Sequence, residues 1–130
     1  MAQTLDQQRA AFAWEAVKRT QKVCKKFDDF KNLAKGAPAL IMGNGLMSAL
    51  AFYASRGTDA ATALNEVING WLAMRFVADA AFKPLPKTYS DVMERLLKAP
   101  SSFYMQTTDE TLAMLKWLRQ FADAISKEGN

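Results

Sequence analysis

Apolar residues recur every three or four positions along almost the whole chain, and no stretch alternates residue by residue as a half-buried strand would. This pattern predicts an all-α protein: a single compact helical bundle of about five helices over positions 1–130, with no internal repeat and no domain boundary. The first helix begins after Thr4, which has Gln7 three positions on, the spacing of a capping box. Its pattern runs to about Lys35, where Gly36 and Pro38 are expected to break it. A second helix is predicted from Pro38, a residue suited to a first turn, through Ile41, Leu46, Leu50 and Phe52 to a C-cap at Gly57. A third starts at Thr58 or Asp59 and carries Leu64, Val67, Ile68, Trp71 and Leu72 toward Asp79. Pro84 and Pro86 force a loop, and a short helix covers about Tyr89–Lys98. Pro100, Ser101 and Ser102 mark another loop. The last helix is expected from Thr107 or Thr108, with Glu110 closing a second capping box, to about Ser126.

Projected at 100° per residue, the first helix divides cleanly. Leu5, Phe12, Ala13, Ala16, Val23, Cys24 and Phe27 fall on one side; Lys18, Arg19, Lys22, Lys25 and Lys26 fall on the other, with Glu15 among them. As one uninterrupted helix, the span from Lys18 to Lys26 would rise roughly 12 Å, about two nucleotide steps of an extended strand. The functional reading is a stripe that tracks phosphates; the plainer one is a solvated face. Trp14 lies on the polar side one turn before Lys18, where it marks a partner contact, a stacking surface beside phosphate-binding lysines, or a residue packed under its own chain. Arg9 projects from the apolar face, so it is either paired internally or part of a face that continues into another subunit. Arg9 and Trp14 are thus the candidate partner contacts.

The last helix is apolar over more than half its circumference, with Lys116, Arg119, Gln120 and Asp123 in a narrow polar strip that also holds Leu112. Such a helix is central in a bundle or shared with a partner, and central is the default. Gly43 and Gly45 flank Asn44 inside the predicted second helix, where each glycine costs about 1 kcal/mol against alanine. They are expected to let another helix approach closely. A phosphate-binding loop is the weaker alternative, because the segment has no Walker lysine and follows no strand.

Composition narrows the chemistry. There is no histidine and one cysteine, Cys24, which excludes Ser-His-Asp and Cys-His catalysis, His-ligated metals, an intramolecular disulfide and a Cys-based zinc site. The acidic residues form no dyad, and the seven methionines read as core filler. No enzyme, no cofactor and no metal are therefore expected, and the single cysteine fits a reducing, cytoplasmic setting. Seventeen basic against thirteen acidic residues give a net charge of +4 and a pI near 9.3, which permits contact with nucleic acid. The N-terminus lacks the pattern of a secretory signal, and no apolar run approaches the ~20 residues that span a bilayer, so no membrane partner is expected.

These residues resemble a known family. The stretch PALIMGNGLMSALAFYASRG at 38–57 is similar to the NGL…LAF signature of the small subunit of the Cmr complex, the RNA-targeting type III-B CRISPR effector. Trp71-Leu72 resembles the family's WL in the third helix, and LAMLKWLRQFADA at 112–124 its C-terminal L…L-WLK-RFA block. Gln8-Arg9-Ala10, followed by Phe12-Ala13, also fits, so the resemblance covers essentially the whole chain in the family's order. It implies a small helical protein without catalytic role in antiviral defence, stacked in several copies along the effector. Its implied partners are other Cmr subunits, copies of itself, and the backbone of guide and target RNA, with RNA cleavage assigned to another subunit. No functional residue carries over by match; the choice of Lys18, Arg19, Lys22, Lys25 and Lys26 rests on helix geometry. Gln120 stands where the family commonly has a basic residue, which weakens the last-helix strip as an RNA contact. The rival reading is a generic helical protein-interaction adaptor without RNA contact.

Overall fold

The computed structural model describes residues 2–128. Among these residues there is no strand; six α-helices form, α1 (Leu5–Val23), α2 (Phe27–Asn44), α3 (Leu46–Arg56), α4 (Asp59–Arg75), α5 (Tyr89–Lys98) and α6 (Ser101–Glu128), with a 3₁₀ turn at Ala80–Phe82. The helix count is thus one above the expectation; the first helix's end, the second's start, the cut at Gly45, the end of α4 at Arg75 and the last helix's start all differ.

The capped starts follow the sequence. Thr4 and Gln7 close a reciprocal capping box on α1, and the Thr58 hydroxyl accepts the Ala61 N–H at the head of α4. Thr88 and Asp91 form a second box on α5, whose start lies where the pattern predicts it. Gly57 ends α3 in the left-handed conformation at φ +68°, as a C-cap glycine should.

The first helix does not run to Lys35. It ends at Val23, and Cys24 is extended while its N–H still bonds to the Thr20 carbonyl at 2.8 Å. Cys24 is buried and lies four positions after Thr20 and seven after Val17, so the apolar register continues through the break and hides it. Val23, assigned to the apolar side, is 72% exposed. Gly36 and Pro38 do not break the chain either; both lie inside α2. Interior proline costs roughly 3 kcal/mol, but Phe30, Ala34, Ala37 and Ile41 continue one buried face across it and offset that cost.

The expected second helix is instead cut in two at Gly45, whose φ of +90° and ψ of 157° lie in a region essentially reserved for glycine. The Tyr104 hydroxyl of α6 accepts the Met47 N–H at 3.0 Å and so caps α3, which has no side-chain cap of its own. Close helix approach does not explain Gly43: a Cβ there would meet nothing within 4 Å. The last helix starts at Ser101, ahead of Thr107. Thr107 and Thr108 sit in its interior, their hydroxyls donating back to the Tyr104 carbonyl, so neither is a cap.

The buried side chains form one apolar cluster that includes Trp71, Tyr53, Phe30, Phe82 and Met114. α6 packs on α1, α2 and α4 and lies between α1 and α2, which gives it the central place expected of its wide apolar arc.

Candidate nucleic-acid interface

The five predicted phosphate contacts are all exposed, and among the described residues none pairs with a carboxylate. They do not share one helix face. Lys18 and Lys22, four apart on α1, do; Arg19 is turned about 100° from Lys18. Lys25 and Lys26 lie in the turn after α1, Lys26 as the residue preceding α2. The 12 Å single-helix spacing therefore does not apply, because the helix carrying it ends at Val23.

The structure joins Trp14 to this group and to residues of the apolar arc predicted for the last helix. Trp14 is 38% exposed. Its ring meets Phe121 of α6 edge-on with centroids 5.2 Å apart, and Phe121 in turn stacks on Trp117 at 5.7 Å. Lys18 Nζ lies 6.0 Å from the Trp14 ring centre, and Lys116 Nζ lies 5.7 Å from that of Trp117. The result is a row of three aromatic rings across the α1–α6 junction with a lysine at each end. Trp14, Lys18 and Lys22 also line a shallow groove closed on the α6 side by Ile125 and Glu128. Trp117 Nε1 donates to Asp6 Oδ1 at 3.1 Å and so holds its ring in place. Rings interleaved with cations suit a single-stranded polyanion, because base faces stack on the rings while phosphates meet the lysines. The signal in the sequence is Trp117 and Phe121 four apart on one helix face; nothing local places Trp14 beside them.

On the other flank of α6, Lys35 of α2 faces Lys116 and Arg119 across a groove that also holds Leu112, Gln120 and Asp123. The polar strip predicted on the last helix is therefore the floor of a second, mixed-charge groove.

Arg9 is paired within the chain, the first of its two alternatives. Its Nε and a terminal nitrogen donate to the two carboxylate oxygens of Glu110 at 3.0 and 2.7 Å, and Arg75 Nε approaches the same carboxylate at 3.4 Å. The Glu110 hydrogen bond chiefly raises the Arg9 pKa. Burial pushes the Glu110 carboxyl upward, but the hydrogen bond from Arg9 and the charges of both guanidinium groups outweigh it and hold it below its ordinary value. Among the described residues no three His, Cys, Asp or Glu side chains gather as a metal site, and no helix is long and apolar enough to cross a membrane. Cys24 is a free, buried thiol.

Comparison with known proteins agrees with this architecture. The family model described as CRISPR-associated protein (Cas_Cmr5) matches residues 5–125. The CRISPR system Cmr subunit Cmr5 of Thermus thermophilus is 30% identical over 100 residues, 77% of this chain and 77% of that protein. The X-ray crystal structure of a CRISPR-associated Cmr5 family protein, also from Thermus thermophilus, is similar with a TM-score of 0.74 and 26% identity, covering 95% of this chain and 97% of that one. The match over nearly the full length, in sequence and in fold, places this chain in the Cmr5 family of CRISPR-associated proteins.

Proposed function

We propose that this chain is a non-catalytic small subunit of a type III-B CRISPR (Cmr) ribonucleoprotein, acting in the cytoplasm in antiviral defence. Several copies stack along the effector beside other Cmr subunits, and each contacts the backbone of guide or target RNA. The observation that supports RNA contact is the row Lys18, Trp14, Phe121, Trp117 and Lys116, with Lys22 beside Trp14 and Lys18 and with Arg19, Lys25 and Lys26 exposed elsewhere on α1 and the turn after it; none of these cations is paired to a carboxylate among the described residues. Guided effectors delegate sequence reading to base pairing, so a subunit of this kind needs backbone contacts and no reactive centre. Weak contacts of one copy sum along the stack.

The test reverses Lys18, Lys22 and Lys25 to Glu together, with circular dichroism to confirm that the helical fold survives. Target-RNA affinity of the reconstituted effector is then compared at low and moderate salt. The expected result is weaker binding at low salt and a shallower salt dependence, since fewer counterions are released. Unchanged affinity and slope would assign these lysines to solvent, and an RNA-facing surface would then have to be sought elsewhere, near Arg56 or Arg119. The isolated chain is expected to cut neither RNA nor DNA, with or without a divalent metal. Cleavage that persists in nuclease-free preparations and disappears on mutating one acidic residue would refute the non-catalytic assignment.

A further inference from the structure

The groove between α2 and α6 has a volume of about 500 Å³. Its α2 wall carries Lys35, Pro38 and Met42, three and four positions apart and so on one helix face. Its α6 wall carries Leu112, Lys116 and Arg119 at the same spacing. Met42 is 77% exposed, more than any other large apolar side chain among the described residues. Pro38 and Leu112 are partly covered. One exposed methionine on a surface is ordinary; three aliphatic side chains that meet in one groove mark a contact surface. The charge there is one-sided. Lys35, Lys116 and Arg119 are exposed, and none pairs with a carboxylate among the described residues. The carboxylate that lines the groove, Asp123, is held by Lys127 at 3.4 Å. Three uncommitted cations therefore border an aliphatic lining.

We propose that this groove is a docking site for an acidic amphipathic helix of another polypeptide. Two neighbouring helices leave a channel into which a third lays one face. The apolar positions of that helix rest on Pro38, Met42 and Leu112, and the unbranched methionine adapts to their shape. Its Asp and Glu side chains meet Lys35, Lys116 and Arg119, and the planar fork of Arg119 matches a carboxylate. A nucleic acid fits this lining poorly. None of the residues named here has an aromatic ring on which a base could stack, in contrast to the row at the α1–α6 junction, and phosphates gain nothing from aliphatic side chains.

The experiment is an amide-detected NMR titration of the full chain with a designed peptide of about four helical turns, its leucines recurring every three or four positions among glutamates. The same peptide with lysines for glutamates, and an oligouridylate, run beside it. The acidic peptide is expected to shift the backbone amides of the Lys35–Met42 and Leu112–Asp123 stretches with micromolar affinity. Lys35→Glu with Arg119→Glu should weaken it about tenfold or more, because attraction becomes repulsion. Met42→Gln should weaken it about fivefold or more through lost apolar burial. All three side chains are exposed, so these variants keep the fold, which unchanged core amide shifts verify. Absence of shifts, shifts scattered over the surface, or affinity indifferent to the variants would overturn the site. Equal or tighter binding of the lysine peptide would overturn the acidic partner. Tighter binding of the oligouridylate at the same residues would make the groove a nucleic-acid surface instead. The same shifts on concentrating the chain alone would make the occupant a second copy. Lys116 borders both surfaces and is left unchanged, so the aromatic row stays intact and its RNA contact is tested separately.

Discussion

Glu110 joins α6 to α1 and α4, and its loss is the change of a single charged residue whose consequences are easiest to read. It is 7% exposed and holds Arg9 in a two-pronged contact with Arg75 alongside. Glu110→Gln keeps the shape but leaves two guanidinium groups facing a neutral amide; the expected cost is about 2–3 kcal/mol, read as a lower urea midpoint with unchanged slope. The pH dependence has a definite sign. Because folding lowers the Glu110 pKa, its contribution is fully present above the ordinary value of 4.5 and is lost as the pH falls below that value through the lowered one. The wild-type chain should therefore lose stability over that acid range more steeply than the Gln variant, and equal acid profiles would show that Glu110 contributes no such linkage. Half of this contact is legible in the sequence. Arg9 on an apolar face announces a partner, but that partner lies 101 positions away, and Glu110 reads as part of a cap as long as the start of its helix is placed at Thr107.

At the scale of elements, real caps carry a local signal, the same spacing at Thr107 and Glu110 is a false one inside α6, and interior breaks carry none. Thr4, Gly57, Thr58 and Thr88 each bond to backbone within a few residues or supply a local conformation, so local sequence carries their signal. The break after Val23 preserves the apolar register, and Pro38 is tolerated because tertiary packing supports α2 on either side of it. The two glycines around Asn44 separate these cases. Gly45→Ala forces a side chain into a backbone region that only glycine occupies readily, 3.4 Å from the Tyr104 hydroxyl, and should destabilise by about 1–3 kcal/mol. Gly43→Ala enters open space in a helix and should stabilise by up to about 1 kcal/mol. Thermal unfolding of the two variants should shift in opposite directions; a loss of stability in both would mean that Gly43 has a packing role the structure does not show.

At the scale of the molecule, α6 draws α1 and α2 to its two flanks, and this arrangement builds the surface with the aromatic row. The lysines are visible in the sequence as a charge run, whereas the ladder of rings needs two helices separated by most of the chain to meet. The two components should separate by their response to salt. Lysine–phosphate contacts release counterions, so Lys18→Ala with Lys22→Ala should flatten the plot of log affinity against log salt by about 1.4 for each copy that meets the RNA, at roughly 0.7 per contact on a single strand. Base stacking releases none. Trp14→Ala should therefore weaken RNA binding by the reconstituted effector by about 1–3 kcal/mol for each copy whose ring stacks on a base, while leaving the salt slope intact. Trp14 also packs on Phe121, and losing an aromatic pair costs about 0.5–1.5 kcal/mol of stability. Affinity must accordingly be measured well below the unfolding temperature of the variant. A Trp14→Ala effector that binds RNA as tightly as the parent would assign the ring to the α1–α6 junction alone and leave the lysines as the whole of the RNA contact on this flank.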